Sequence, residues 1–375
     1  MNKKIKNINL ASPDISEKDI QAVVSVLKTP QLSLGPKLIE FQDKLAKYIG
    51  REYAVAVNSG TSALHLIIKN LGIGEGDEVI TTPFSFIASS NCVLFENAKP
   101  IFVDINPETY CIDIKKIEKK ITEKTKAILA VDVFGRPADW SELGKIAKKH
   151  KLYLIEDSAE ALGSVYKGKK AGFFGEAAIF AFYPNKQITT GEGGIILTDN
   201  KNFADLCTSL ANQGHDKKSS WLEHLRLGYN YRISDINCAL GISQLGRMNE
   251  LTKKRARVFK WYYEGLKDVP GIKIPPLFIK NSKVNWFVYV IELGPKYDKN
   301  DRKEIMRALN KNGIGCREYF PAIHLQKFYR ELFGYKLGDF PVTEYISDRT
   351  IALPFHTLLT RGEVRRVCTT LKNLL

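Results

Sequence analysis

Short apolar runs alternate with stretches of helical periodicity through the first part of the chain. The short runs predict strands over 53–57, 78–81, 100–103, 126–133 and 152–156. In the periodic stretches apolar residues recur every three to four positions, which predicts helices over 16–28, 37–49, 62–71, 87–96, 113–120 and 139–150. This alternation is typical of an α/β domain with a mostly parallel sheet and right-handed crossovers.

Two further apolar runs, 177–182 and 194–198, have no long helix between them. We interpret them as strands joined by a tight loop, and such loops often carry functional residues. A long helical stretch then covers 234–266, and Pro270 and Gly271 interrupt the pattern after it.

The last part of the chain predicts a small α/β domain. It has a strand near 286–293 and helices near 301–312 and 361–373. We therefore expect a large domain over residues 1–255 and a small C-terminal domain over 256–375.

Composition narrows the class of protein. Of the 375 residues, 44% are apolar and 26% are charged, which is typical of a globular protein. No apolar run approaches the roughly 18 residues that a membrane-spanning helix needs. The basic N-terminal segment lacks the apolar stretch of a signal peptide, so we expect a cytoplasmic protein.

Cysteine spacing and net charge exclude further classes. The six cysteines are scattered without a CxxC pair, which argues against a disulfide framework and against a metal site. The net charge is +15, but the lysines are spread along many amphipathic segments. This pattern favours a solvated surface over nucleic-acid binding, and it is compatible with an acidic substrate such as a nucleotide.

The first candidate functional segment is residues 58–64 (NSGTSAL), directly after a predicted strand and at the start of a helix. Small residues allow the backbone to approach an anion, and free N–H groups at a helix start favour phosphate. The spacing matches neither a P-loop nor GxGxxG, which disfavours a nucleoside triphosphate. A simple N-cap turn is the alternative interpretation.

Two more segments carry an acid and an aromatic ring. Residues 156–160 (EDSAE) end a predicted strand, where the carboxylate of Asp157 could pair with a pyridinium nitrogen. The alternative is a capping or salt-bridging aspartate. Phe86 follows the strand predicted over 78–81 and could stack on a flat cofactor ring, although a core aromatic is the commoner outcome.

The fourth segment contains Lys186, between two apolar runs and before the glycine-rich turn 191–194 (GEGG). A lysine held close to the sheet, beside a cationic cofactor, has a lowered pKa and becomes nucleophilic. In a chain this rich in lysine, a surface lysine is the common alternative.

The order and spacing of these segments resemble the DegT/DnrJ/EryC1/StrS group of sugar aminotransferases over essentially the whole chain. The motifs that carry the resemblance are 58–64 (NSGTSAL), 156–160 (EDSAE), 183–186 (YPNK), 191–194 (GEGG), 227–235 (LGYNYRISD) and 323–326 (IHLQ). The resemblance implies fold type I, a pyridoxal 5′-phosphate (PLP) cofactor, glutamate as amino donor and a nucleotide-linked ketosugar as acceptor.

The resemblance also implies a role for each matching residue. Lys186 is the Schiff-base lysine and moves the proton, and Asp157 holds the pyridine nitrogen. Phe86 lies against the cofactor ring, and Glu160 lies near its phenolic oxygen. Asn230 reaches the cofactor phosphate of a neighbouring subunit, so a homodimer shares its active sites. The residues implied at the phosphate are Ser59, Gly60, Thr61 and Ser62.

Two positions depart from the family pattern. Many members have serine where this chain has Ala181, which removes one hydroxyl on the phosphate side. Glu160 stands where the family usually has glutamine, which alters the hydrogen bonding near the phenolic oxygen.

The C-terminal segments 319–330 (YFPAIHLQKFYR) and 338–344 (GDFPVTE) look most like those of perosamine synthases, which act on GDP-4-keto-6-deoxymannose. This resemblance implies that Tyr319, Phe320 and His324 lie near the sugar or the nucleotide. The alternative is that these three side chains only pack the small domain against the large one.

Other functions stay open at this stage. Aminotransferases for UDP- or dTDP-linked ketosugars share much of the pattern. A PLP-dependent sugar dehydratase of this group carries histidine where this chain has Lys186, which favours transamination. A non-catalytic relative is expected to have lost Lys186 or Asp157, and both are present.

Overall fold

The computed structural model describes residues 6–216, 220 and 223–375. Its strands are β1 (Tyr53–Val57), β2 (Glu78–Thr81), β3 (Lys99–Phe102), β4 (Thr125–Val131), β5 (Tyr153–Asp157), β6 (Val165–Tyr166), β7 (Lys169–Lys170), β8 (Ala177–Ala181), β9 (Gly194–Thr198), β10 (Ile272–Lys273), β11 (Ser282–Lys283), β12 (Tyr289–Leu293) and β13 (Thr350–Leu353).

The helices lie between and around these strands. They are α1 (Glu17–Leu27), α2 (Pro36–Ile49), α3 (Gly60–Asn70), α4 (Ala88–Leu94), α5 (Ile114–Ile117), α6 (Trp140–His150), α7 (Lys201–Ala211), α8 (Asp235–Gly246), α9 (Met248–Leu266), α10 (Lys299–Lys311), α11 (Lys327–Phe333), α12 (Pro341–Ser347) and α13 (Arg361–Lys372).

A seven-stranded sheet forms the centre of the large domain, in the order β1-β9-β8-β5-β4-β2-β3. Strands β8, β5, β4, β2 and β3 pair in parallel. Strand β9 is antiparallel to both of its neighbours, β1 and β8. The predicted mixed, mostly parallel sheet is confirmed, and so is the loop that joins β8 directly to β9.

A three-stranded sheet, β10-β12-β13, lies in the C-terminal part of the chain. Its core includes Val258 and Tyr262 of α9, Tyr289 of β12 and Val367 of α13. The N-terminal end of α9 packs instead through Met248 and Leu251 against the core of the large sheet. The boundary after residue 255 therefore falls inside one continuous helix that contacts both cores, and it stays a prediction.

The structure differs from the sequence-based expectation in several helices, and two of them, α11 and α12, were not predicted. The stretch 234–266 is not one helix, because the backbone leaves helical geometry at Arg247 (φ −95°, ψ 3°). Arg247 forms ion pairs of 2.7 Å with Asp14 and with Asp19, which tie the break to the N-terminal segment. Helix α7 was also not predicted, although Asn200 caps it by accepting a hydrogen bond from the backbone N–H of Phe203.

Two buried carboxyl groups meet beside the carboxyl ends of β4 and β5. The hydroxyl of Ser158 lies 2.6 Å from Asp132 Oδ2 and 2.6 Å from Glu156 Oε1. Because a hydroxyl carries one hydrogen, one of these contacts needs a proton on a carboxyl. Burial, together with the neighbouring charge of Glu156, raises the pKa of Asp132, and burial raises the pKa of Glu156. The folded pair therefore retains a proton that the unfolded carboxyls release near pH 4.

Replacing Asp132 with asparagine is expected to stabilise the protein increasingly as pH rises. Unfolding of the unaltered chain releases the trapped proton, so its stability falls with rising pH between the unfolded and folded pKa values. In Asp132→Asn the amide donates to Ser158 Oγ, and the hydroxyl donates to Glu156 without a trapped proton. We expect a gain of up to about 1.4 kcal/mol per pH unit above pH 5. Urea unfolding at pH 5 and pH 8 measures it.

Asp132→Ala serves as the comparison for this prediction. Asp132 Oδ1 also accepts from the N–H of Ala138 and from the indole of Trp140, at 2.8 and 3.0 Å. Alanine removes this acceptor as well, so Asp132→Ala is expected to destabilise the protein at both pH values. If the stability of the unaltered protein and that of Asp132→Asn depend equally on pH, the carboxyl pair does not retain a proton in the folded state.

Within the described residues, helices that are both long and apolar enough to cross a bilayer are absent. The cytoplasmic location stays a prediction. All six cysteines are buried as free thiols.

Candidate active site

A cavity of about 460 Å³ lies at the carboxyl edge of the large sheet, where parallel strands place the residues that follow them. Most of the predicted site residues line it, together with residues from the C-terminal part of the chain. The predicted residues in its wall are Ser59, Gly60, Thr61, Phe86, Asp157, Glu160, Lys186, Tyr319 and Phe320. Three predicted residues, Ser62, Asn230 and His324, do not line it.

The turn from β1 into α3 forms one end of the cavity. Ser59 is the N-cap of α3, and its hydroxyl accepts from the N–H of Ser62 at 3.1 Å. Gly60 and Thr61 are in the first turn, where N–H groups have no acceptor within the helix. A Cβ on Gly60 would lie 2.7 Å from Cβ of Ala181, so only glycine allows this close approach to β8. This end can therefore hold an anion.

The hydroxyl of Ser62 turns away from the cavity. It donates to Asn58 Oδ1 at 2.7 Å and lies 2.9 Å from Ser59 Oγ. The structure thus places Ser62 in a bracing position for the turn that presents Gly60 and Thr61.

Asp157 ends β5 and is almost fully buried. Its Oδ2 accepts from the hydroxyl of Ser89 at 2.7 Å, and its Oδ1 accepts from the N–H of Ala159 at 3.1 Å. The pKa of Asp157 is raised overall by burial, although these two hydrogen bonds and the charge of Lys186 oppose the rise. The carboxyl is therefore oriented toward the cavity and suited to pair with a cation.

Lys186 lies in the loop between β8 and β9. The pKa of its amine is lowered overall, chiefly by burial and also by the charge of Arg255. The charges of Glu160 and Asp157 oppose this change. Its Nζ is 4.2 Å from the centre of the Phe287 ring and 3.9 Å from Glu160 Oε1. Lys186 is thus not the surface lysine of the alternative interpretation.

Glu160 follows β5 by three residues and lines the cavity beside Lys186. Its Oε2 accepts from the N–H of Phe134 at 2.8 Å. Burial raises the pKa of Glu160 to about 7, against the opposing charge of Lys186. The site therefore contains a carboxyl group that titrates near neutral pH.

Aromatic side chains close the cavity on two sides. Phe86 lines it and is 63% exposed, so its ring is available to a flat ligand. Phe320 stacks on Phe134 with ring centres 5.5 Å apart. Tyr319 lies beside them, and burial raises the pKa of its hydroxyl to about 12. Tyr319 and Phe320 therefore reach the cavity, as predicted for substrate contacts.

His324 lies away from the cavity, in contrast to the prediction of a substrate contact. It is fully buried, and its Nε2 is 2.9 Å from Glu344 Oε1. The ring of Phe340 packs against it with centres 4.7 Å apart. His324 thus contacts other residues of the C-terminal part of the chain, and the packing of the small domain against the large one that the sequence left open is not the role of these contacts.

Asn230 is exposed outside the cavity of its own chain. Its backbone carbonyl accepts from the side-chain amide of Asn58 at 3.4 Å, next to the turn into α3. The predicted contact of Asn230 with a neighbouring subunit stays a prediction.

The structure adds site residues that the sequence did not indicate. Ser89, the second residue of α4, donates to Asp157 and follows Phe86 by three residues. Arg255 of α9 donates to the backbone carbonyls of Lys186 and Phe287 at 2.9 and 3.2 Å. Phe287 and Arg255 are distant in sequence from the loop, so no local motif reveals them.

Together these groups define the class of the site: a buried lysine, a carboxylate and a helix N-terminus around one cavity. This set suits a cofactor that carries a carbonyl group, a protonatable ring and a phosphate. Across the described ranges, no group of three or more His, Cys, Asp or Glu side chains could hold a metal ion.

The chain belongs to the DegT/DnrJ/EryC1/StrS aminotransferase family, whose sequence profile matches residues 13–372. An uncharacterised protein of Methanocaldococcus jannaschii is 39% identical over 96% of each chain. The spore coat polysaccharide biosynthesis protein SpsC of Bacillus subtilis is 34% identical over 96% of this chain and 95% of its own. GDP-perosamine synthase of Caulobacter vibrioides is 34% identical over 99% of each chain.

Solved structures agree with this family assignment. PseC of Helicobacter pylori, an aminotransferase involved in pseudoaminic acid biosynthesis, has a TM-score of 0.94 at 31% identity, covering 98% of this chain and 99% of its own. The PLP form of the putative sugar aminotransferase Spr1654 of Streptococcus pneumoniae has a TM-score of 0.93 at 28% identity, covering 98% of each chain. The predicted family and the fold type I architecture are confirmed.

The protein is an aminotransferase, and its cofactor is PLP, as predicted. The residues present fit this group. The close approach at Gly60 leaves the start of α3 open to a phosphate, and Asp157 is oriented for a pyridinium nitrogen. Lys186 reaches the same cavity with its amine, and the exposed ring of Phe86 is available for the cofactor ring.

Proposed function

We propose that this enzyme transfers an amino group from glutamate to the 4-keto carbon of a nucleotide-linked 4-keto-6-deoxy sugar, converting GDP-4-keto-6-deoxymannose to GDP-perosamine. The observation that carries the proposal is one cavity that joins Lys186 and Asp157 to the aromatic wall of Tyr319 and Phe320. The likeness to the Caulobacter GDP-perosamine synthase over 99% of each chain supports the choice of sugar.

Each residue has a defined task in this proposal. When bound, PLP supplies the aldehyde that accepts the amino group and the ring that delocalises electrons. Lys186 would hold that aldehyde through Nζ, and as a free amine it would move the proton of the amino-transfer step. Asp157 keeps the ring nitrogen protonated through its carboxylate. Ser59, Gly60 and Thr61 hold the phosphate at the start of α3.

The aromatic residues and the second subunit complete the proposed site. Phe86 lies against the cofactor ring, and Tyr319 and Phe320 contact the sugar or the nucleotide. Asn230, exposed beside the turn into α3, reaches the cofactor phosphate of a second copy of the chain. The catalytic unit is then a homodimer that shares its active sites.

The product class points to polysaccharide biosynthesis. The Bacillus subtilis relative is a spore coat polysaccharide biosynthesis protein. By analogy, we infer that this enzyme supplies an amino sugar to a surface polysaccharide such as an O-antigen.

The principal alternative is a UDP- or dTDP-linked ketosugar as the acceptor. The similarity to PseC, at a TM-score of 0.94, supports an aminotransferase for another amino sugar. A sugar dehydratase is disfavoured, because Lys186 is present and its amine reaches the cavity.

A two-stage assay tests the proposed substrate. The PLP-loaded protein is first converted with glutamate, and the loss of its visible absorption band is recorded. GDP-4-keto-6-deoxymannose and UDP- and dTDP-linked 4-ketosugars are then added separately. We expect the band to return with the GDP sugar at least tenfold faster than with the others, since mismatched polar contacts in a substrate site cost about 1.4 kcal/mol or more.

The alternative outcomes have distinct meanings. Faster return of the band with a UDP- or dTDP-linked sugar agrees with an aminotransferase and contradicts the GDP-linked sugar as its substrate. Release of a deoxygenated ketosugar together with ammonia, in place of an amino sugar, indicates the dehydratase instead.

A further inference from the structure

Glu160 and Lys186 face each other inside the cavity. Glu160 Oε1 lies 3.9 Å from Lys186 Nζ, and the two side chains are only 7% and 13% exposed. At this distance a carboxylate and an ammonium interact strongly, because little water screens them.

The carboxyl of Glu160 is held in this orientation from two sides. The N–H of Phe134 fixes Oε2 at 2.8 Å. The side-chain amide of Gln187, the residue after the lysine, donates to the backbone carbonyl of Glu160. Glu160 Oε1 therefore stays directed toward the amine of Lys186. The hydrogen bond from Gln187 also connects the backbone of Glu160 to the loop that carries the lysine.

The two groups have opposite responses to burial. Burial raises the pKa of Glu160 to about 7, and burial lowers the pKa of Lys186. The other ionisable groups that face the pair are Asp157, Tyr319 and Arg255. Burial raises the pKa of Tyr319 to about 12, so this hydroxyl stays protonated in the neutral range.

We propose that Glu160 is a positioning residue that shares one proton with Lys186 and thereby sets the fraction of the lysine present as the free amine. The inference deepens the proposed function, because it rests on Lys186 as the reactive lysine. The proton moves from the ammonium Nζ to Glu160 Oε1, through a bridging water or a side-chain rotation that closes the 3.9 Å separation, and leaves a neutral amine beside a carboxylic acid. No other reactant is needed.

The exchange has a direct consequence for reactivity. Only the free amine attacks a carbonyl, and an ionised Glu160 favours the ammonium form. Removing the carboxylate charge therefore increases the free amine at a given pH. A carboxyl that only braces the backbone would leave this fraction unchanged.

Competitive acetylation of the cofactor-free, full-length protein measures the free amine. Acetic anhydride is applied between pH 5 and pH 11, and mass spectrometry compares Lys186 with the exposed Lys303 of α10. In Glu160→Gln the labelling midpoint of Lys186 is expected to fall by about one pH unit, with about tenfold more labelling above pH 7 and below the midpoint, where Glu160 of the unaltered protein is ionised.

Two variants make the test specific. Glu142→Gln removes a negative charge from the exposed surface of α6 and is expected to leave the midpoint unchanged. Glu160→Asp retains a carboxyl that is one methylene shorter, so its midpoint should lie between those of the unaltered protein and Glu160→Gln.

The same midpoint in folded Glu160→Gln and in the unaltered protein overturns the inference. If Glu160→Gln does not fold, the unaltered protein still decides. Its Lys186 profile should show a second inflection near pH 7, and a single inflection overturns the inference. Acetylation does not depend on turnover, so failure of the ketosugar assay leaves this result separately interpretable.

Discussion

Lys186→Ala is expected to lower the rate of amino transfer from glutamate by at least about a thousandfold. Lys186 is the lysine whose amine reaches the cavity that also contains Asp157 and the start of α3. Its loss removes both the covalent attachment of the cofactor and the group that moves the proton. Proton transfer by a positioned side chain alone contributes about 10²–10⁴-fold. Single-turnover release of 2-oxoglutarate from glutamate measures the change.

Lys186→Arg separates charge from chemistry in this experiment. Arginine keeps the positive charge beside Glu160 but stays protonated and forms no Schiff base. We expect it to be as inactive as Lys186→Ala. Lys169→Ala, at an exposed lysine of the β6–β7 hairpin, should keep full activity. Substantial activity in Lys186→Ala, or an unchanged visible cofactor band, would exclude Lys186 as the reactive lysine.

Asp157→Asn is expected to have the second largest effect, on cofactor affinity and on turnover. The amide oxygen can still accept from the N–H of Ala159, and the amide nitrogen can donate to the hydroxyl of Ser89, but the side chain no longer pairs as an anion with the ring nitrogen. A hydrogen bond to a charged group contributes about 1.5–3 kcal/mol, so its loss is expected to increase the dissociation constant of the cofactor roughly 10- to 150-fold. Fluorescence titration of the cofactor-free protein measures that constant, and the glutamate half-reaction measures turnover.

Asp132→Asn is the matched control for this substitution. Asp132 lies beside the end of the adjacent strand β4, and its backbone N–H donates to the carbonyl of Asp157 at 3.0 Å. Its side chain is directed into the buried contact with Ser158, outside the lining of the cavity. We expect unaltered cofactor affinity in Asp132→Asn. If both variants bind the cofactor equally weakly, the geometry at the ends of β4 and β5, and not the charge of Asp157, determines the affinity.

Local sequence patterns predicted most of the elements that build the site. The turn after β1 and the loop between β8 and β9 were predicted from short-range signals: small residues at a helix start and two apolar runs without a helix between them. Such signals depend on neighbouring residues in the chain, so the sequence contains them directly. The break at Arg247 was missed although Gly246, directly before it, disfavours helix, and the ion pairs of Arg247 with Asp14 and Asp19 are contacts that the sequence does not show.

The same distinction holds for the site. The resemblance indicated Lys186, Asp157 and Phe86, and the structure places all three in one cavity. It did not indicate Ser89 or Phe287, since neither belongs to a motif that the sequence displayed. His324 belongs to a distinctive motif, yet it packs against Glu344 and Phe340 away from the cavity.

The sequence by itself determined the family, the alternation of strands and helices up to β5, and the residue types available for chemistry, because these follow from local patterns and motif spacing. Only the tertiary structure decided which side chains share the cavity. It also decided which buried carboxyl groups are protonated. Burial raises the pKa of Glu160 to about 7 against the charge of Lys186, and the contacts of the Ser158 hydroxyl with two buried carboxyls require a proton on one of them. Both effects arise from packing between distant segments, which excludes water and brings charges together.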